Sequence, residues 1–186
     1  MLTDREQLTK RTLRAGVHLV FGTRSWVRRN LDEFAKGVVG QRILEIGSGR
    51  QDLGQDAFSF GDLFDSSNEF VRSDVVPEYG HELVDVRAIG LEEAFDLVLC
   101  LYVLEHIFEL ENAVESMHRA LAPRGTLIIA VPHLYPYHDE PTDYWRFTEH
   151  ALRQMLEPFE STEIKVRGFR KMPLALMAFA TKNGGS

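Results

Sequence analysis

Between residues 132 and 148 the chain reads Pro-His-Leu-Tyr-Pro-Tyr-His and then, four residues later, Asp-Tyr-Trp-Arg-Phe-Thr. This stretch includes the imidazoles of His133 and His138, the carboxylates of Asp139 and Asp143, the guanidinium of Arg146 and the rings of Tyr135, Tyr137, Tyr144 and Trp145. Titratable groups set among aromatics suit a pocket or lid that holds an acceptor and moves a proton. A plainer arrangement is also open, in which the rings pack a long loop and Asp143 pairs with Arg146. His133, His138, Asp139 and Asp143 could together ligate a metal ion, but no metal is expected.

A second set of residues follows short apolar runs. Gly47-Ser48-Gly49 ends the run Arg42–Ile46, and glycine there lets the backbone turn tightly and approach a ligand. Asp74 ends the next run, where a carboxylate can accept hydrogen bonds from both ribose hydroxyls of a nucleoside. Asp85 ends a third, weak run, placed for an adenine edge. Leu101-Tyr102-Val103-Leu104-Glu105-His106 follows the fourth, Phe95–Cys100. A dinucleotide fingerprint needs a third glycine where this chain has Asp52, and an aspartate there would repel a pyrophosphate. No Gly-Lys-Ser/Thr follows, so a P-loop is absent. A nucleoside ligand without phosphates remains. Gly47 and Gly49 also fit a bare turn, Asp74 a helix N-cap, Asp85 a surface carboxylate and His106 an ordinary helix position. Cys100 reads as a small buried residue rather than a nucleophile.

The elements that must position these residues alternate. Further apolar runs cover Gly125–Val131, Ser161–Arg167 and Leu174–Thr181. Near-continuous apolar strands are buried on both faces, as in a parallel sheet covered by helices. Leu110, Ala113, Val114, Met117 and Leu121 mark an amphipathic helix, ended by Pro123-Arg124-Gly125. A second follows Thr148, a helix-capping residue, with Ala151, Leu152, Met155 and Leu156 on one face and Pro158 as its stop. Residues 50–69, with Gly54, Gly61, Ser66, Ser67 and five acids, predict a short helix or an irregular loop. The whole reads as an α/β fold: a doubly wound, mostly parallel seven-stranded sheet with an antiparallel last strand. Residues 1–40 read as an accessory helical segment, 41–182 as the main domain and 183–186 as a tail.

Glu45-Ile-Gly47-Ser-Gly49, Ser73-Asp74, Val84-Asp85-Val86-Arg-Ala88, Phe95-Asp-Leu-Val-Leu-Cys100, Val103-Leu-Glu105-His106 and His118-Arg-Ala-Leu-Ala-Pro-Arg-Gly125 together resemble the motifs of class I S-adenosylmethionine-dependent methyltransferases. The 132–148 segment is similar to that of a small bacterial subgroup, several of whose members are associated with glycan or other surface-polymer biosynthesis. The resemblance spans residues 40–182, with Gln51 where the family has a further glycine and Pro-Arg-Gly where it has Pro-Gly-Gly. It implies S-adenosylmethionine as cofactor. Gly47, Ser48 and Gly49, with Glu45, would face its methionine part. Asp74 and Val75 would hold the ribose, and Asp85 and Val86 the adenine. Cys100 and Leu101 would line the methionine side, with His106 close by. It also implies methyl transfer to a small-molecule or saccharide acceptor at a hydroxyl. His138, then His133, would be the general base, with Asp143 as orienter or alternative base. Tyr102, Tyr137, Tyr144 and Arg146 would shape the acceptor site, and Arg146 could receive an anionic group. Two other readings stay open: a non-catalytic nucleoside-binding scaffold, and an RNA or protein methyltransferase docked through a basic arm.

Composition bounds these readings. The 186 residues carry a formal charge of −7 with 44% hydrophobic residues, which fits one globular domain and argues against a surface built for nucleic acid. Residues 1–30 hold seven Lys/Arg against two acids, and the remainder fourteen against twenty-six. The basic start limits any anionic partner to a docking role there, and a solvated basic helix is the simpler reading. A single cysteine excludes an internal disulfide and suits a reducing compartment. With no signal peptide and no apolar run of membrane-spanning length, a cytoplasmic protein is expected, with room for a homodimer.

Overall fold

The computed structural model describes residues 22–51, 59–138, 142–169 and 171–185. The first 21 residues of the segment read as accessory and helical, with Asp52 and Asp139, lie outside the described residues.

Seven strands form one sheet: β1 (Arg42–Ile46), β2 (Glu69–Asp74), β3 (Glu82–Leu83), β4 (Phe95–Leu101), β5 (Leu121–Pro132), β6 (Ser161–Phe169) and β7 (Met172–Thr181), in the order β3-β2-β1-β4-β5-β7-β6. β7 pairs antiparallel with both β5 and β6, and the other pairings are parallel. This is the doubly wound sheet expected. The strand order reverses between β1 and β4, the point where open α/β sheets bind ligands beyond the carboxyl ends of their strands.

Alternation along the central strands explains their continuous apolar character. Leu97 and Leu99 of β4 and Ile128 and Ala130 of β5 face one layer; Val98 and Cys100, with Leu127, Ile129 and Val131, face the other, and all are fully buried. The first layer is helix α1 (Thr23–Ala35), which buries Val27, Leu31 and Ala35 at four-residue spacing. The second holds α2 (Leu110–Ala120), burying Ala113, Val114 and Met117, and α3 (Glu149–Met155), burying Leu152. Thr148 caps α3, its hydroxyl accepting from Ala151 N at 3.1 Å.

Two boundaries differ from the sequence reading. The segment read as accessory up to residue 40 contributes α1, which shares a core with Ile43, Leu97 and Met177, so packing shows no break at that position. β5 begins at Leu121, directly after α2, rather than at Gly125. Glu93 N and Ala94 N donate to the carbonyls of Arg119 and Ala120, both at 2.9 Å, which draws the chain out of the helix and alongside the start of β4. The turn at 123–125 lies inside that irregular start, with Arg124 itself in the left-handed region at φ 63°. Among the described part of 50–69, the chain makes one 3-10 turn, Gly61–Leu63, held by the buried Phe60 and Phe64 on either side.

Candidate active site at the strand switch point

The glycine loop after β1 is a hydrogen-bonded scaffold. Gly47 and Gly49 have φ of 72° and 60°, which a side chain would strain. A Cβ on Gly47 would also sit 2.5 Å from Cγ2 of Val103. Ser48 N donates to the Ser73 carbonyl at 2.9 Å, and Ser73 Oγ donates to the Glu45 carbonyl at 2.8 Å. Glu45 lies buried beneath the loop. One carboxylate oxygen accepts from Ser48 Oγ at 2.8 Å and the other from Phe60 N at 2.7 Å. Burial pushes its pKa up, against those hydrogen bonds. Asp74 accepts from Gly49 N at 2.9 Å and from Val76 N at 3.1 Å, so it ties the loop to the end of β2. His81, which the sequence reading missed, places Nε2 2.8 Å from the Gly49 carbonyl. A cleft of about 600 Å³ adjoins this point, between Phe70–Arg72 of β2, Gly80–Glu82 and Gln51. It flanks the glycine loop and does not reach the histidine cluster.

The other expected cofactor residues divide. Asp85 is held by a fork from Arg87, whose terminal nitrogen lies 2.6 Å away. That pairing keeps the carboxylate below its usual range, against burial. Val75 is exposed. Val86, in the turn beyond β3, and Cys100 of β4 carry their side chains into the core beside α2, so any ligand contact there falls to backbone. Burial pushes the Cys100 thiol far up, so it is no nucleophile. Leu101 and Tyr102 pack toward the α1 layer, Tyr102 in the left-handed region at φ 59° with its hydroxyl buried. Tyr102, expected beside the acceptor, thus packs its ring against the α1-side core.

Across the switch point, the turn Leu104–His106 after β4 receives the loop after β5. The Glu105 carbonyl accepts from Tyr144 N at 2.8 Å, and Trp145 Nε1 donates to the Ile107 carbonyl at 2.9 Å. His106 Nδ1 lies 2.5 Å from the Thr142 carbonyl. These bonds bring His106 and His138 edge to face, with ring centroids 4.9 Å apart. Asp143, its side chain 1% exposed, lies beside His138: Oδ2 accepts from His138 N at 3.0 Å and sits 3.0 Å from Nδ1. Arg146 grips both oxygens of Asp143, at 2.5 and 2.6 Å. Burial pushes Asp143 up, but the hydrogen bonds from Arg146 and His138 outweigh it and hold the pKa at about 2. Burial lowers the pKa of His138, opposed by Asp143, so the ring is neutral at pH 7.

Three expectations for this loop change. Arg146 has no donor left for an anionic acceptor: its five N–H groups reach Asp143 twice and the carbonyls of Tyr135, Pro136 and Trp145. It is a positioning residue. His133 sits at the foot of the loop, Nδ1 2.6 Å from the Phe147 carbonyl, and is not in the His106–His138 cluster. Tyr137 and Tyr144 are exposed, Tyr144 against the exposed Phe108 at 5.4 Å. The residue with no assigned role is Glu105. It is 1% exposed, its Oε2 has no hydrogen-bond partner, and burial raises its pKa to about 8. The signal was a carboxylate in an apolar segment immediately beyond a central strand.

A seven-stranded sheet of this order, with a glycine loop and an acidic strand end at its switch point, defines the Rossmann-like methyltransferase architecture. The family described as "Methyltransferase domain" matches residues 21–167. The chain belongs to this family, and it is a class I S-adenosylmethionine-dependent methyltransferase. No curated protein matches it. Similar solved structures include the Burkholderia thailandensis 1,6-didemethyltoxoflavin-N1-methyltransferase, with bound 1,6-didemethyltoxoflavin and S-adenosylhomocysteine. It has 18% identity and a TM-score of 0.64 over 98% of this chain and 92% of that one. The N-methyltransferase NodS from Bradyrhizobium japonicum has 17% identity and a TM-score of 0.63 over 87% and 97%. A SAM-dependent methyltransferase from Archaeoglobus fulgidus has 15% identity and a TM-score of 0.60 over 89% and 97%.

Proposed function

We propose that the chain transfers a methyl group from S-adenosylmethionine to a hydroxyl of a small-molecule or saccharide acceptor, with His138 as general base. The supporting observation is the chain Arg146–Asp143–His138, which holds a neutral imidazole at the switch point beside the end of β4. Neutral histidine suits proton removal near pH 7, and a buried carboxylate fixes its tautomer and steadies the imidazolium that forms.

The residues fit the cofactor. The cradle at Gly47 leaves no room for a Cβ, and Asp74 sets the loop against the β2 end. Gly47, Ser48 and Gly49 would border the methionine part, Asp74 the ribose, and Asp85 with the Val86 backbone the adenine. The bound cofactor supplies the methyl group on a sulfonium, an electrophile that needs no activation by the protein. The chain's task is alignment and proton removal. His138 takes the acceptor proton, Asp143 orients the ring, and Arg146 locks Asp143. Tyr137, Tyr144 and Phe108 offer aromatic surface at the rim, suited to a sugar ring or another flat apolar face.

Nothing in the described part of the basic start favours a nucleic-acid partner: Arg28 is paired with Asp62, and Arg24 lies over the Phe60 ring at 4.9 Å. No helix among the described residues is long and apolar enough to cross a membrane. A buried, unpaired Cys100 is consistent with a reducing cytoplasm, where we place the protein.

The test is methyl transfer from labelled S-adenosylmethionine to a panel of saccharide, small-molecule hydroxyl and amine acceptors. Product from a hydroxyl acceptor is expected. His138→Ala should lower turnover at least tenfold while S-adenosylhomocysteine affinity stays near wild type. Transfer only to amines, or unchanged turnover in His138→Ala, overturns the assignment.

A further inference from the structure

Glu105, His106 and His138 come from two separate loops, yet one donor atom of each lies within 4.8 Å of the others. The carboxylate is fully buried, and its Oε2 lacks any hydrogen-bond partner. An unpaired buried carboxylate oxygen costs on the order of 1–3 kcal/mol, more when charged, so its retention calls for a partner. His106 is oriented in the manner of a metal-binding histidine: Nδ1 lies 2.5 Å from the Thr142 carbonyl, which fixes the tautomer and leaves the other ring nitrogen with its lone pair for an ion. His138 Nδ1 lies 3.0 Å from Asp143, itself clamped by Arg146, but is buried with no hydrogen-bond partner, a second unsatisfied polar atom in the cluster.

We propose that Glu105, His106 and His138 form a binding site for a divalent first-row transition-metal cation such as Zn²⁺ or Mn²⁺. Two imidazoles and one carboxylate select such ions over Mg²⁺ and Ca²⁺, which prefer all-oxygen sets, and they leave coordination positions open. Closing the three donors onto an ion at about 2.1 Å takes a small side-chain adjustment. The proposal deepens, and rests on, the reading of this cluster as the acceptor site. An acceptor hydroxyl at an open position would lose its proton to solvent more readily. In the metal-free protein His138 is the base of the proposed reaction; with an ion bound it would serve as a ligand and the proton would pass to solvent.

The experiment is calorimetric titration of chelator-treated, desalted full-length protein with ZnCl₂ and, separately, MnCl₂. It needs neither cofactor nor acceptor, so its outcome is independent of the methyl-transfer assay. One-to-one binding is expected. His106→Ala, His138→Ala and Glu105→Gln should each weaken it at least tenfold, whereas His150→Ala, on the exposed face of α3, should not. Zinc-edge X-ray absorption of the wild-type complex should show two imidazole ligands, a reading that stands even if a variant fails to fold. Absence of stoichiometric binding, undiminished affinity in folded His106→Ala and His138→Ala, or a spectrum without imidazole overturns the site.

Discussion

The two sides of the switch point treat their polar groups in opposite ways. Beneath the glycine loop, the side chains of Glu45, Ser48, Ser73 and Asp74 are spent on one another or on backbone. Their product is a shape: two left-handed glycines held against the ends of β2 and β4. Across the switch point, Arg146 and Asp143 are likewise spent, but they lie behind a front of groups with unused capacity, the Glu105 carboxylate foremost. Unpaired buried polar atoms cost stability, and a fold keeps them where chemistry uses them. On the proposed function, the comparison separates a side that would bind by backbone shape from a side that would react through side chains. Changes to the first should damage folding and cofactor affinity together; changes to the second should damage turnover alone.

The severest break should come from Gly47→Ala. It forces a Cβ into φ 72° and to within 2.5 Å of Val103. The left-handed conformation costs about 1–2 kcal/mol and overpacking about 1–3 kcal/mol. Urea unfolding should show a loss of that combined order, with S-adenosylhomocysteine binding abolished in calorimetry. Adding Val103→Ala should restore only part of the stability, because it relieves the clash and not the backbone strain. Wild-type stability in Gly47→Ala would remove the shape argument.

Asp74→Ala should come next. It leaves Gly49 N and Val76 N without their acceptor, at about 1–3 kcal/mol for each that stays buried. Cofactor affinity should fall at least tenfold. The mirror test is Asp143→Asn, which keeps the volume but weakens the grip of Arg146 and the hold on His138. Turnover should fall at least tenfold with S-adenosylhomocysteine affinity unchanged. The acid limb of the kcat/KM profile should also move, a readout that a purely structural role would not shift. Equal losses of affinity in Asp74→Ala and Asp143→Asn would erase the distinction between the two sides.

The sheet and its switch point were legible because continuous apolar runs such as Leu127–Val131 can only be strands buried on both faces. The places of the glycine loop and Asp74 were legible because the apolar runs before them stop at the ends of β1 and β2. Other features depend on the three-dimensional path of the loops. Arg146 reads either as a receptor for an anionic group or as the partner of Asp143 until the loop curls the carbonyls of Tyr135 and Pro136 onto it. Glu105 stands in the 103–106 motif without a role of its own until the chain at Tyr144 and Trp145 bonds back to its carbonyl. The burial of α1 was obscured because residues 1–40 read as an accessory helical segment, whereas the sheet takes Val27, Leu31 and Ala35 from it. Strand parity alone could have turned Cys100 inward with Val98, a signal outweighed by the motif around it.

The smallest effect tests the spent side by pH. Glu45 has a raised native pKa, caused by burial. In the unfolded chain a glutamate titrates near ~4.3. Between that value and the raised native one, the folded protein keeps a proton that the unfolded chain has released. Stability therefore falls as pH rises through this window and levels off above it, with a slope of at most about 1.4 kcal/mol per pH unit. Glu45→Gln has no proton to lose, so its unfolding free energy should lack this component of the slope. The amide oxygen can still accept from Phe60 N or Ser48 Oγ, which limits the cost of the replacement at low pH. The difference between wild type and Glu45→Gln, followed by urea unfolding from pH 4 to pH 8, should shift in favour of the variant as pH rises. A difference that stays flat would mean that Glu45 is charged in the native state. The carboxylate under the glycine loop would then be a counter-charge awaiting a cation, and the two sides of the switch point would be alike.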